Sequence, residues 1–349
     1  MAQPIIEISF KPAADTTMRS SGSGVVGLIL SDATNEDTTY VYKTAAGVVE
    51  SHWTAQNLEY IDLAFNGSPK QMIVERVSST DPRYEDAIKR MKQKKVNYLA
   101  IPELSDEDKP EVIKLLKALR QEKCTIKTVL ANTAADDEGI INFCSENVKV
   151  TGRTLAYSAQ EYTARVAGCL AGIPLDRSAT YYILSDVESF TESTDPDDDA
   201  DAGKLILLND GENIKLGRAV TSLTTVQGEK SEDMKKIKIV TDADMMVDDI
   251  KRTFEKQYIG MNNSYDNKIV FMNAVNEYFK QLVRYGVLDD TYEHTIELDI
   301  NAIREYLGTS AADMTDDEVK HANTGSYIFL KASVKFSDAI EDLKLVIHM

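Results

Sequence analysis

Between Val25 and Leu184, short apolar runs alternate with segments of helical periodicity, and this alternation constrains the fold more than any other feature of the chain. The runs VVGLILS, QMIVERV, VNYLAIPE, TIKTVLA, VKV and TYYILS read as strands. Helix signals lie between them. Asp81-Pro82 places a cap and a first-turn proline ahead of Tyr84, Ile88 and Met91, and Pro110 precedes Val112, Leu115, Leu116 and Leu119. Ser158 with Glu161 forms a capping box for a helix ending near Gly172. Strands that alternate with helices in this way predict a doubly wound, mostly parallel sheet with helices on both faces.

The composition changes at ESTDPDDDADAG, an acidic stretch expected to be a loop dividing the chain. Beyond it, LILLNDGENIKLG places two apolar runs around Asn209-Asp210-Gly211, which is a hairpin signal. Two long helices follow. Met246, Ile250, Phe254 and Tyr258 mark the first; Phe271, Val275, Tyr278 and Leu282 mark the second, with Gly286 placed as the glycine that ends it. HTIELDI alternates as a strand, and TDDE from Thr315 to Glu318 is a second capping box, opening a short helix that leads to Gly325. The expected organisation is an N-terminal strand and linker over 1–21, an α/β domain over 22–190, an acidic loop over 191–202, an α+β domain over 203–336 and a C-terminal strand over 337–349.

Charge narrows the partners. There are 39 basic and 57 acidic residues, a net of −18, which opposes sequence-independent binding to nucleic acid or an anionic membrane. No run of about 18 apolar residues occurs, and MAQPIIEISFKP has neither the basic start nor the apolar core of a secretory signal, so membrane insertion and conventional export are not expected. A protein of this kind acting outside its cell of origin leaves by lysis or within a particle. Cys124, Cys144 and Cys169 are odd in number and widely spaced, which reads as buried thiols in a reducing compartment.

The motifs that suggest chemistry lack their context. GSGVVG, Gly22 to Gly27, matches G-x-G-x-x-G, but a dinucleotide fold needs a strand before the glycines and a helix after them. Here TTMRSS precedes and the apolar VVGLILSD follows, so Gly22 and Gly24 read as a flexible joint into the first strand. Asp197, Asp199 and Asp201 are spaced like the first ligands of a calcium loop, yet Ala202 takes the glycine position and Leu208 the bidentate glutamate position. His52, His294, His321 and His348 share no zinc-binding spacing. Neither a phosphate-binding G-x-x-x-x-G-K-[ST] nor a G-x-S-x-G elbow is present. Trp53, ahead of Leu58, Ile61 and Phe65, reads as a core or interface aromatic. No catalytic residue, cofactor or metal is expected, although an α/β nucleotide-binding enzyme stays as the alternative that the N-terminal half allows.

The unusual feature is the two ends. In PIIEISFKP, Ile6, Ile8 and Phe10 share a face, Ile5 adjoins them, and the polar AADTTMRSSGSG tethers this strand to the rest. At the other end, Ile328, Leu330, Ala332, Val334 and Phe336 share one face, and Leu343, Leu345, Ile347 and Met349 share another. Such strands either pair within their own subunit or add to a neighbour's sheet, where main-chain hydrogen bonds give affinity and alternate side chains fill pockets.

The chain resembles the tail sheath proteins of contractile bacteriophages and phage-tail-like particles, particularly the short type of Gram-positive bacteria. The resemblance covers nearly the entire chain. It is carried most specifically by LAFNGSPKQMIVERV, LAGIPLDRSATYYILSDVES, LILLNDGENIKLGRAVTSLTT and REYLGTSAADMTDDEVKHANTGSYIFLKASVKFSDAIEDLKLVIHM. It implies a structural subunit, not an enzyme, that stacks as hexameric rings around a tail tube and contracts without nucleotide hydrolysis to drive the tube through an envelope. It implies partners in further copies of the chain, the tube protein, and baseplate and terminator proteins, with assembly in the bacterial host cytoplasm into a virion or tail-like particle. Carried onto these residues, the exchange arms are Ile5 to Phe10 and Leu343 to Met349, and the receiving sheet includes Ile328, Leu330, Val334 and Phe336. The hinge is at Gly22 and Gly24, and 203–336 is the tube-proximal domain, with Lys268, Lys280 and Arg284 as tube-facing residues. A non-contractile self-assembling coat is the alternative within the structural class.

Overall fold

A computed structural model describes residues 24–34, 39–228 and 230–348. They fall into two compact units, 24–241 with 339–348, and 242–338. The arms expected at Ile5, Ile6, Ile8 and Phe10, the hinge residue Gly22 and the terminal Met349 lie outside the described residues.

The first unit is built on β1 (Val25–Ser31). It pairs in parallel with β3 (Gln71–Val77) on one side and β4 (Tyr98–Ala100) on the other. Next to β4 come β5 (Lys127–Ala131) and β6 (Ile140–Phe143), both parallel, and then β10 (Lys204–Leu205). The opposite edge is β2 (Thr39–Tyr42), antiparallel to β3. The seven-stranded order is β10-β6-β5-β4-β1-β3-β2. Continuous apolar runs have the burial expected of strands covered on both sides. Val26, Leu28 and Leu30 of β1 join one core with α1 (Ala55–Phe65) and α4 (Ala159–Gly172); Ile29 joins another with α2 (Tyr84–Gln93) and α3 (Lys109–Gln121).

Glycine permits the closest helix contact. A Cβ on Gly168 of α4 would stand inside the carbonyl of Ala64 of α1, so the two backbones touch where any side chain would separate them. Several helix ends follow the sequence signals. The Ser158–Glu161 capping box is complete, and a proline opens α3. Asp81-Pro82 behaves otherwise: α2 starts at Tyr84 behind an Arg83 cap with no side-chain bond. Trp53 is in the core, with its indole N–H donating to the Tyr42 hydroxyl at 2.9 Å.

A small sheet runs β8-β7-β9, from β7 (Val148–Val150), β8 (Ala156–Tyr157) and β9 (Val187–Ser189). TYYILS is not a regular strand. Tyr181 has φ 60° and Tyr182 N–H turns back to Ala179, leaving Ile183 with an isolated bridge to Lys215. The acidic stretch 191–202 is not simply a loop either, for Asp195 caps a short α5 (Pro196–Asp201). The chain then stays in the first unit: β10 extends the sheet, and β11 (Leu207–Asn209) and β12 (Ile214–Leu216) form the expected hairpin. Leu205, Leu207, Leu216, Ala219 and Ile237 all join its core. The α/β unit thus runs past the expected boundary at 190, through Thr241.

Helix α6 (Ile237–Gln257) starts in this unit, and its residues from Asp242 onward belong to the second. There Phe254 and Tyr258 meet Phe271 of α7 (Tyr265–Arg284) edge-on, at 5.2 and 4.8 Å between ring centroids. Gly286, at φ 68°, ends α7 as expected: its N–H bonds the carbonyl of Val283 and that of Val287 bonds Leu282. β13 (Thr295–Leu298), α8 (Ile300–Leu307), α9 (Asp316–His321) and β14 (Leu330–Ser333) complete the unit. Met272, Leu298, Ile303 and Val319 form a small core, and the Thr315–Glu318 capping box is complete. Among the described residues, no helix is long and apolar enough to cross a membrane.

Candidate assembly surfaces

The C-terminal segment is apolar and uncovered. Leu343, Leu345 and Ile347 are 85%, 68% and 74% exposed. Residues 341–348 form no strand on their own subunit, and an alternating segment with neither face covered presents both side chains and main-chain groups to solvent.

The segment expected as a receiving sheet is shorter than its sequence pattern. β14 pairs antiparallel with β13 from Thr295 opposite Ser333 to Leu298 opposite Leu330. Lys331 and Glu297 form a cross-strand ion pair at 3.0 Å. Leu330 packs against the small core, Ile328 and Val334 are half-buried outside the strand, and Phe336 makes an isolated bridge with Leu288. Among the described residues this sheet has two strands, so each has an edge without a strand beside it.

The three basic residues of α7 do not form one surface. Lys268 is 2% exposed; burial pushes its ammonium below the ordinary lysine range, and its Nζ donates to Thr324 Oγ1 at 3.3 Å. It therefore cannot face a tube. Lys280 and Arg284 are exposed, Lys280 standing 3.4 Å from Glu277 one turn away. Gly24 is also not the free joint that its sequence context suggests. Its N–H bonds Ala171, its carbonyl accepts from Lys70, and a Cβ there would meet Ala171 at 3.3 Å. It is a fixed start to β1.

One contact has no sequence signal. Glu341 Oε1 accepts from Thr180 Oγ1 at 2.6 Å and lies 3.1 Å from Ser178 Oγ, while Arg218 holds Asp342 at 2.5 Å. Thr180 is oriented for this, because its hydroxyl oxygen accepts the Ala219 N–H at 3.0 Å. The root of the exposed segment is thus tied to the α/β unit.

Residues 78–222 match the phage tail sheath protein central domain, and residues 229–349 match the phage tail sheath C-terminal domain. These are structural components of contractile tails, and the relatives are sheath proteins, not enzymes. The chain belongs to the phage tail sheath family: it is 35% identical to the tail sheath protein of Clostridium phage phiCD119, over 99% of this chain and 98% of that one. The fold agrees. A sheath tail protein from Desulfitobacterium hafniense superposes with TM-score 0.68 at 17% identity, covering 85% of this chain and 94% of its own. The helical sheath of the anti-feeding prophage in its contracted state gives 0.68 at 12% identity, covering 100% of this chain and 99% of its own.

Proposed function

We propose that this chain is the subunit of a contractile tail sheath, polymerising as stacked hexameric rings around a tail tube and shortening without nucleotide hydrolysis to drive that tube through a target envelope. The observation that carries this reading is the exposed run Leu343, Leu345 and Ile347 in a chain of the sheath family. In this reading Ile5 to Phe10 and Leu343 to Met349 are exchange arms, and the edge strands β13 and β14, with Ile328, Val334 and Phe336, receive an arm. The N-terminal sheet is taken as doubly wound, a rigid body that swings while arm pairing survives. The swing is assigned to the chain before Gly24, at Gly22. Energy comes from the difference between two packings of the same subunits.

Lys280 and Arg284 are the proposed tube-facing cations, and the baseplate and terminator proteins are the proposed partners at the two ends. Solved relatives come from a baseplate assembly and from a contracted helical sheath, which supports assembly in a virion or tail-like particle, with the bacterial host cytoplasm as the place of assembly. Negative-stain microscopy of the purified protein tests the reading. Tubes or rings are expected from the intact chain and none after deletion of Met1 to Pro12. Assembly of the deleted chain at the normal level, or one helical state under conditions that contract the parent particle, contradicts it.

A further inference from the structure

We propose that Glu341 and Asp342, held by Thr180, Ser178 and Arg218, form a latch that sets how much of the C-terminal segment is free to reach a neighbouring copy. The latch deepens the arm reading above and rests on it for its purpose, though not for its existence.

The contact lies between exposed neighbours. Ile340 is 98% exposed on one side and Leu343 is exposed on the other, so the chain is anchored at this point by two acidic side chains. Their anchors are preset. The Ala219 N–H occupies a lone pair of Thr180 Oγ1, which turns that hydroxyl proton toward Glu341. The Glu341 side chain is 13% exposed, so its hydrogen bond is shielded from water, whereas Asp342 at 68% forms an open ion pair with Arg218. Asp342 in turn raises the Arg218 guanidinium above its ordinary range.

Closing the latch shortens the arm. Leu343 to His348 span at most roughly 20 Å when extended, whereas Ile340 to His348 span roughly 31 Å. A closed latch therefore fixes the distance over which neighbours are linked, and an open one lets the same arm follow a subunit that moves outward. Glu341 and Asp342 carry the acids of the contact while the apolar residues beyond carry the strand, so one segment combines a releasable root with a pairing tip.

Cleavage after Glu341 reads the latch directly. The unassembled chain is treated with a glutamate-specific protease, and release of the peptide that follows Glu341 is followed by mass spectrometry. Arg218→Glu should raise that release about tenfold, the loss expected when a half-exposed ionic contact and its neighbouring hydrogen bond are removed. Arg218→Glu combined with Asp342→Arg should restore protection, which a merely damaged fold would not. Equal release from the unaltered chain and Arg218→Glu, or no restoration by the swap, overturns the latch. Deleting Leu343 to Met349 separates the two ideas: normal polymerisation of that variant removes the arm reading and leaves the cleavage result standing.

Discussion

Deleting Leu343 to Met349 should abolish assembly without weakening the subunit. The side chains of Leu343, Leu345 and Ile347 are at least two-thirds exposed in a single copy, so removing them withdraws little from the core. Buried on a neighbour, three such side chains are worth about 4–7 kcal/mol, and about three edge-strand hydrogen bonds add roughly 2–4 kcal/mol. Ordering seven residues opposes this by roughly 7–14 kcal/mol. The two sides nearly cancel. One arm therefore binds very weakly, with a dissociation constant well above about 1 mM, and the polymer depends on many arms acting together. Calorimetry should place the melting midpoint of the deleted chain within about 2 °C of the intact one, while sedimentation velocity finds only monomer. A drop of more than about 5 °C would mean that the segment packs on its own subunit and would refute the argument. So would a deleted chain that still polymerises.

Three further outcomes follow from the interior and one from the surface. Burial alone would raise the carboxyl of Asp32, but bonds from Thr34, Thr54 and Asn57 lower it to about 2, so its charged form stabilises the fold above the unfolded value and that contribution is lost as pH falls toward 2. Asp32→Asn should cost about 2 kcal/mol at neutral pH in urea unfolding and make stability flatter between pH 4 and pH 2. Gly168→Ala should cost about 3 kcal/mol, read by the same titration, because the added methyl meets the Ala64 carbonyl. Lys268→Met should leave stability unchanged or raise it by about 1 kcal/mol, with the gain fading as pH climbs through the lowered folded value toward the ordinary lysine range, since neutral Lys268 no longer opposes folding. Charge reversal at Lys280 and Arg284 should weaken cosedimentation with tail tubes and leave thermal unfolding unaltered.

Elements that announce themselves locally could be read from the sequence. β1 is an apolar run up to Leu30, β3 and β5 carry the apolar triplets Met72–Val74 and Val129–Ala131, and the capping boxes at Ser158 and Thr315 and the stop at Gly286 are complete within a few residues. The missed elements depend on distant partners. β2 and β6 are four residues each and β10 only two, and their pairing to β3, β5 and β6 makes them strands. TYYILS fails for the opposite reason, since its composition suits a strand but Tyr181 adopts a left-handed backbone that breaks the ladder. Lys268 looked like a surface cation because a charged residue on an amphipathic helix gives no sign of which side of the stripe boundary it takes. The latch was invisible because Arg218 and Asp342 are 124 positions apart, and nothing in either neighbourhood points to the other.

A cryo-EM map of the assembled protein, resolved well enough to trace side chains, tests the central claim most directly. The chain leaving Asp342 should run into a neighbouring copy and pair along the edge of that copy's β13–β14 sheet, with Leu343, Leu345 and Ile347 covered. Density that instead turns back onto the same subunit, leaving every β13–β14 edge without a strand from another copy, would contradict it.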